Sequence, residues 1–449
     1  MSSEFTARIR SGNVSALQVI IIASCVVMNA IDGVDVLSIS YTAPVISRAW
    51  GISATELGIV FSAGLIGMAV GALVLGPIGD YVGRRPALLV NLVIMTVGMI
   101  ATAYATTVPI LMTYRVITGL GIGGILASTN TMVAEYAPEK YKNFALSCMH
   151  VGYPAGGVIS SPIAAWLIDA YGWQSVFLAG SALSGVMIIV VLLWVPESID
   201  YYLLKRPANA LTKINKILRK MGRDLLNELP APPAPEVAAA KTTAIFSILR
   251  KPYTSSTLLL WIAFFFYFMT LYFVLNWVPD IIVRYGFTRA EGVYGNFWSN
   301  LFGVFGGLSV GYFSTMVGLR VMSRWFLLLA VVGMVSFGLV GANLTGMYAA
   351  NSVIGFTLLG VVSGLYSSAA RMYPAEFRNS GVALAIGFGR AGAIIGPALA
   401  GILLDFQFTV TTIFYLFALP LFVSALCFFV IKYDDPITVG SRAKQQAAE

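Results

Sequence analysis

Histidine, cysteine and charge are what this sequence has least of. One histidine, His150, and three cysteines, Cys25, Cys148 and Cys427, stand among 449 residues. The cysteines lie in apolar segments at unrelated spacings, which fits buried thiols and speaks against a disulfide framework. A single imidazole cannot build a zinc cluster, so no metal site is expected. Nor do a nucleophile, a base and an orienting group come together, and no cofactor motif is present, so an enzyme is the least expected class. Charged residues make up 11% of the chain and hydrophobic ones 58%, with a mean hydropathy of +0.83. No soluble domain of this length needs so much apolar surface. The solvent for this chain is a bilayer.

Twelve runs of about 20 apolar residues meet the length needed to cross one. They lie near 17–46, 55–79, 86–105, 108–134, 143–168, 174–195, 256–283, 291–314, 321–342, 346–370, 379–404 and 409–431. The expected organisation is a tail over 1–16, a six-span bundle over 17–195, a polar linker over 196–255, a second six-span bundle over 256–432 and a tail over 433–449. The opening "MSSEFTARIRSGNVSALQVII" is basic and then apolar. Its apolar run is too long for a signal peptide and lacks a small-residue cleavage pattern before Asp32, so it reads as a tail leading into the first span. Within the linker, "LPAPPAPEVAAAK" has the composition of a spacer. Next to it, "ALTKINKILRKMG" puts Leu211, Ile214, Leu218 and Met221 on one helical face and Lys213, Lys216, Arg219 and Lys220 elsewhere. That is the pattern of a helix lying on an anionic leaflet, with membrane lipid as its partner.

Basic residues orient the chain. With the N-terminus in the cytoplasm, 23 of the 28 Lys and Arg fall in cytoplasmic segments, Arg48, Arg284 and Arg289 fall on the opposite face, and Arg115 and Arg390 remain inside spans. The positive-inside rule therefore predicts cytoplasmic termini and a cytoplasmic linker. Because the charge is spread over alternate loops, the formal +8 is a mark of topology and not of nucleic-acid binding.

The two halves repeat. "GPIGDYVGRR" (76–85) follows the second span and "GYFSTMVGLR" (311–320) the eighth, so that Gly76/Gly311, Gly83/Gly318 and Arg85/Arg320 share one offset of 235. After the fourth and tenth spans, "YAPEKYKN" and "YPAEFRN" align Pro138/Pro374, Lys142/Arg378 and Asn143/Asn379 at an offset of 236. Two matches at nearly one offset and at equivalent topological places argue for duplication of a six-span unit.

With these residues in view, the chain resembles the major facilitator superfamily over essentially its whole length. "GPIGDYVGRR" is similar to that superfamily's G-x-x-x-D-R-x-G-R-R loop, and "RVITGLGIGG" to its R-x-x-x-G-x-G-x-G run. The resemblance implies an all-α integral membrane protein, with twelve transmembrane helices in two six-helix pseudo-symmetric bundles and substrate bound near the midplane. Tyr81 replaces the usual basic residue of the loop, and Thr315 replaces the Asp in the second copy, so the second latch should be weaker. "DGVD" in the first span, "VPESIDYYLLKRPANAL" after the sixth and "GFGRAGAIIGP" in the eleventh look like the aromatic acid:proton symporter family. That likeness implies a bacterial inner-membrane importer of benzoate-type, hydroxybenzoate-type or related ring-cleavage acids, with protons as coupling ion and no cofactor. Such a carrier is expected to work as a monomer on a small-molecule carboxylate.

Which residues would carry such chemistry follows from depth and pairing. Asp32 and Asp35 stand three apart, so they project from neighbouring positions of one helical face, and ionisable residues inside a membrane are functional by default. Gly33 between them permits close approach of another helix or local unwinding. Protonation would cancel the cost of carrying these carboxylates through a dry intermediate, which makes both candidates for proton coupling; the blander account is one acid neutralised by a hydrogen bond to a neighbouring span. Arg390 lies about 18 Å along the eleventh span and Arg115 about 12 Å into the fourth, so both must face the bundle interior and both are candidate substrate-binding residues. If an aspartate takes Arg115, Arg390 has no intramembrane acid at its depth and its planar fork suits a substrate carboxylate. Alternatively it serves backbone carbonyls, with Gly387, Gly389 and Gly392 marking close helix packing. His150 and, one turn on, Tyr153, beside Pro154, are candidate substrate or proton contacts, although a lone His is also a common structural hydrogen-bonder. On the seventh span Phe264, Phe268 and Tyr272 form a stripe that Asn276 continues as a polar handle. Together with Tyr366 of the tenth span, this stripe either sandwiches an aromatic ring or is packing or lipid-facing surface.

By resemblance, Gly76, Asp80, Gly83, Arg84, Arg85 and Glu135 form the cytoplasmic gate. Asp80 is expected to cap the second span, and Arg84 and Arg85 to reach Glu135. Competing readings are a proton-coupled carrier of aliphatic mono- or dicarboxylates such as muconate, a drug exporter, and a non-transporting membrane sensor that binds without flux.

Overall fold

The computed structural model describes residues 14–230, 249, 253–373 and 378–431. Nearly all of the 1–16 tail, the 433–449 tail, the spacer after Pro230, Pro374 and the side chain of Thr315 lie outside the described residues. Among the described residues there are twelve long helices and no strand. Hydrocarbon leaves each span to satisfy its own backbone, and a helix does so within one segment.

The spans are Ala16–Trp50, Ala54–Val74 (continued after a turn by Ile78–Val82), Arg84–Ala103, Val108–Tyr136, Lys142–Tyr171, Gln174–Trp194, Thr254–Arg284, Arg289–Val317, Leu319–Val340, Leu344–Met372, Arg378–Asp405 and Val410–Val430. Eleven are long and apolar enough to cross a membrane. Span 8, Arg289–Val317, has the length but less apolarity, because Asn296, Ser299 and Asn300 sit inside it, each buried to 1% exposure or less. Below, the near end of a span is where an odd-numbered span begins or an even-numbered one finishes, and the far end is the other.

Two short helices follow span 6, Ile199–Lys205 and Ala210–Lys220. The second corrects the leaflet-bound helix expected from its pattern. Ile214, Ile217, Leu218 and Met221 are buried within the protein, and the helix packs on Ile199–Lys205, with the Lys213 ammonium 5.5 Å from the Tyr202 ring. Its apolar face is covered by protein and its exposed Lys216, Arg219 and Lys220 face away.

By packing, the chain falls into two compact units. The first holds the described residues within Met1–Val36, Ile66–Gly156 and Gln174–Pro235, and the second those within Leu37–Leu65, Gly157–Trp173 and Glu236–Glu449. In the first unit, span 3 packs along spans 4 and 6. Between spans 2 and 4 a small residue lets backbone meet backbone: a Cβ at Gly71 of span 2 would run into the carbonyl oxygen of Leu120. In the second unit, span 7 packs along span 11, span 8 along span 10, and span 9 against spans 10 and 12. There a Cβ at Gly306 would run into the carbonyl oxygen of Phe356. Gly71 and Gly306 are 235 residues apart and Leu120 and Phe356 are 236 apart, so the sequence repeat is also a repeat of one helix contact.

The second unit also takes in the far-end portions of spans 1, 2 and 5, which lie against spans 7, 8 and 11. Span 1 is tied by Ser40, whose hydroxyl donates to the carbonyls of Leu275 (2.9 Å) and Asn276 (2.8 Å). At the span 5 contact, a Cβ at Gly157 would meet Asn300 at 2.5 Å.

Candidate functional site

In the first unit, spans 1 and 5 cross on small residues. A Cβ at Gly33 would strike the carbonyl oxygen of Tyr153, and one at Gly156 that of Ala30. Asn29 then reaches across to donate to the Met149 carbonyl at 2.5 Å. The glycine between the two aspartates therefore serves close approach, with span 5 as the partner. His150 and Tyr153 are both half-buried on this stretch of span 5.

Asp35 takes Arg115. The guanidinium donates through Nη1 to Oδ1 at 2.8 Å and through Nη2 to Oδ2 at 2.9 Å, a two-pronged contact with the carboxylate fully buried and the arginine 3% exposed. Planar fork meets planar carboxylate, the strongest form of such a pair. The Phe177 ring of span 6 lies 5.8 Å from the guanidinium carbon. Asp32, one turn back, is 3% exposed. Two buried acids and one buried cation thus stand in this unit at mid-span depth.

At the near end of the same unit the gate residues gather. Gly76 lies in the turn before Ile78–Val82, where a Cβ would touch Ala127 at 3.0 Å. Asp80 does not cap span 2 as expected: it sits inside the short helix and pairs with Arg84 at 2.5 Å, one turn on. Arg84 also reaches Glu135, Nε to Oε1 at 3.5 Å. Arg85 departs from expectation, donating to the Leu192 carbonyl at 2.5 Å at the end of span 6. Beside these arginines stands Glu197, for which the sequence suggests no role of its own. Glu197 accepts the backbone N–H groups of Arg84 (2.7 Å), Arg85 (3.3 Å) and Ser198 (2.8 Å), so it supplies the first amides of span 3 with the acceptors a helix start lacks. Gly83 leaves room for it, because its φ of +109° and the carboxylate packed on its Cα admit no Cβ. The signal was an acid directly after a span in "VPESID", whose natural reading is plain loop charge.

In the second unit the span 7 stripe is buried, not lipid-facing. Phe264, Phe268, Tyr272 and Asn276 are 0–6% exposed. Phe268 stacks on Tyr272 (centroids 6.3 Å), and Tyr366 of span 10 closes on Phe264 (6.0 Å) and Phe268 (6.4 Å). Asn276 uses its amide on the Tyr272 carbonyl at 2.8 Å. Span 11 fits against this stripe on glycine: a Cβ at Gly389 would meet the Phe268 ring at 2.6 Å, and one at Gly392 the Phe265 carbonyl. Gly387 has open space. Arg390, half-buried, donates through Nη1 to the Tyr272 hydroxyl at 3.3 Å. A guanidinium therefore stands at one edge of a four-ring cluster. Among the described residues no group of three His, Cys, Asp or Glu could hold a metal ion.

A repeated set of long apolar helices with buried charges at mid-span is the construction of a secondary transporter. A family model described as Major Facilitator Superfamily matches residues 23–369 and 297–448. The chain is 28% identical over 432 residues to the 4-hydroxybenzoate transporter PcaK of Acinetobacter baylyi, covering 96% of this chain and 94% of the relative. It is 30% identical over 420 residues to a gallate transporter of Pseudomonas putida, covering 92% and 91%. Among solved structures, the xylose transporter XylE from E. coli, in a partially occluded inward open conformation, matches with a TM-score of 0.73 at 15% identity, covering 94% of this chain and 99% of that one, a likeness of fold. The chain belongs to the major facilitator superfamily and, within it, to the aromatic acid:proton symporter family; it is a transporter and not an enzyme.

Proposed function

We propose that the chain is a proton-coupled symporter that imports an aromatic carboxylate across a bacterial inner membrane by alternating access, as a monomer with both termini in the cytoplasm. The near end is then cytoplasmic and the far end faces outside. The observation that carries this reading is Arg390 bonded to Tyr272 at the edge of the Phe264, Phe268 and Tyr366 rings. A cation beside stacked rings suits a ligand with a carboxylate at one end and a ring behind it. The transport names of the relatives, 4-hydroxybenzoate and gallate, and benzoate for a third from Acinetobacter baylyi at 27% identity, support the same ligand class.

In this mechanism Arg390 holds the carboxylate, the Tyr272 hydroxyl adds a second polar contact, and Phe268 and Tyr366 flank the ring. Asn276 is a secondary contact on the same span; within the first unit, His150 and Tyr153 are candidates for a proton contact beside the aspartates. Asp32 and Asp35 carry the proton. Protonation of Asp35 frees the Arg115 fork, and loss of the proton to the cytoplasm remakes the pair and resets the carrier. A proton and an anion moving together carry no net charge through the dry intermediate, which removes most of the cost of the passage. Gly76, Asp80, Gly83, Arg84, Arg85 and Glu135, joined by Glu197, hold the cytoplasmic side shut when the carrier faces outward.

Uptake of radiolabelled aromatic acids into proteoliposomes with an imposed pH gradient tests the proposal. Accumulation that collapses with the gradient is expected. Preference for muconate-like aliphatic acids would overturn the aromatic assignment, and binding without flux would make the protein a sensor.

A further inference from the structure

The far-end seal of the second unit is a zipper of glycine contacts and hydrogen bonds that a carboxylate closes at its end. Ser62 of span 2 donates to the Ile394 carbonyl of span 11 (2.6 Å), a Cβ at Gly58 would meet the Pro397 carbonyl oxygen at 2.6 Å, and one at Gly401 would strike that of Ala54. Trp277 of span 7 locks the middle by donating its indole N–H to the Pro397 carbonyl (3.0 Å) and meeting Phe61 edge-on at 5.3 Å. Beyond the last apolar contact, Asp405 at the end of span 11 accepts the backbone N–H of Ala54 on Oδ1 (3.0 Å) and of Thr55 on Oδ2 (2.8 Å). Span 2 has its own capping box: Ser53 accepts from the Glu56 amide (3.1 Å), and Glu56 from the Ser53 amide (2.9 Å). That box leaves the first two helical amides without acceptors, and these are the two that Asp405 fills. Span 2 is completed by a side chain from span 11, and only while the two lie together.

The same seal contains an opposing element. Asn296 and Asn300 on span 8 are fully buried, and their amide nitrogens donate to the carbonyls of Leu275 (2.9 Å) and Asn296 (2.8 Å). Their Oδ1 atoms have no hydrogen-bond partner among the described residues. An acceptor buried in this way disfavours the conformation that buries it. Ser40 on span 1 lies over Asn296 (3.4 Å), and Gly157 on span 5 packs against Asn300. Departure of the far-end portions of spans 1 and 5 would open both oxygens to water.

We propose that this seal is a poised outer gate, in which the Asp405 carboxylate latches the start of span 2 to the end of span 11 while the buried Asn296 and Asn300 oxygens favour release. The name "outer" rests on the orientation given under Proposed function. The latch keeps the outside shut without making the shut state a trap, and the carboxylate and the two asparagines set the balance from opposite directions.

A reporter cysteine at Ser62, which is 4% exposed, reads that balance. Cys25 and Cys148 are replaced, and Cys427, 5% exposed at the near end of span 12, stays as an internal reference. The rate of maleimide labelling of Ser62→Cys is measured first in detergent. Asp405→Asn, which removes the charge at a helix start, should speed labelling about two- to five-fold, and Asp405→Glu should restore the parental rate. Asn296→Leu removes a buried acceptor while Ser40 still satisfies the Leu275 carbonyl, and should slow labelling about five-fold or more. An unchanged or slower rate in Asp405→Asn, or an unchanged or faster one in Asn296→Leu, overturns the proposal. So does an equal rise at Cys427, which would mark general loosening. The same ratios are then read with an impermeant maleimide in right-side-out and inside-out vesicles. Ratios preserved but visible only in inside-out vesicles would uphold the latch and overturn the orientation.

Discussion

Asp35→Asn isolates the buried ion pair. In the parent the carboxylate is fully buried, the guanidinium is 3% exposed, and the two bonds measure 2.8 and 2.9 Å. Neither group is exposed enough for solvent to weaken the interaction. At 2.8 Å the gross attraction is about 6 kcal/mol for an effective dielectric of 20. Taking away one partner of such a pair costs about 3–5 kcal/mol, because the other charge stays buried. For a cooperative unit of some 200 residues that corresponds to a fall in melting temperature of roughly 10 °C. The assay is thermal unfolding in detergent beside gradient-driven uptake in proteoliposomes. Asp35→Asn should lose both stability and accumulation, whereas Asp32→Asn, which leaves the Arg115 pair intact, should lose accumulation with little loss of stability. Asp35→Asn combined with Arg115→Gln should regain most of the stability and none of the transport. A single variant that melts within about two degrees of the parent, or a double variant no more stable than the single, refutes the reasoning. Either aspartate variant accumulating substrate at the parental rate removes that residue from the coupling mechanism.

At Arg390, the lysine variant keeps charge and loses the fork, so it should bind the substrate acid more weakly; Arg390→Ala should cost on the order of 2–5 kcal/mol of binding, by calorimetry or competition. The neutral amide of the same acid should bind the parent poorly and lose little further in Arg390→Ala; equal losses for acid and amide would make Arg390 a packing residue. Gly33→Ala drives a methyl group into the Tyr153 backbone, which cannot swing aside as a side-chain tip can, and should destabilise by about 1–3 kcal/mol with loss of uptake, read by melting and transport. At the near end, Asp80→Asn should slow turnover with little change in substrate affinity, and Glu197→Ala, which strips acceptors from three amides, should add a stability loss of about 1–3 kcal/mol. A large loss of affinity at unchanged turnover would count against the gate assignment.

Apolar run length made the spans legible, since length is what a bilayer demands. Span 8 was legible by the same length, although Asn296, Ser299 and Asn300 make it less apolar than the others. Gly33 could be read as a point of close approach, but not its partner. The pairing of an aspartate with Arg115 was open between Asp32 and Asp35: three residues apart, they differ by less than a turn, and only the neighbouring helix decides which one meets the arginine. The linker helix shows the limit of amphipathicity, which announces an apolar face without saying whether lipid or protein will cover it. Glu197, Asp405, Asn296 and Asn300 were not legible as functional. Each acts on backbone or stands in a contact with another span; Asp405 meets Ala54 and Thr55 across 351 and 350 residues of chain. No local pattern encodes a partner at that distance.

Gly71 on Leu120 and Gly306 on Phe356 are places where two main chains touch with no side chain between them. Such a joint cannot be retuned by small steps, since the smallest possible change, one methyl group, is already too large. A library that varies every position in turn should therefore show two intolerant stripes about 235 residues apart, each a few positions wide. Selection for new cargo would have to work on the surfaces that face away from them. The ancestral doubling then stays visible in what the chain refuses to change, even where its two halves no longer share a letter.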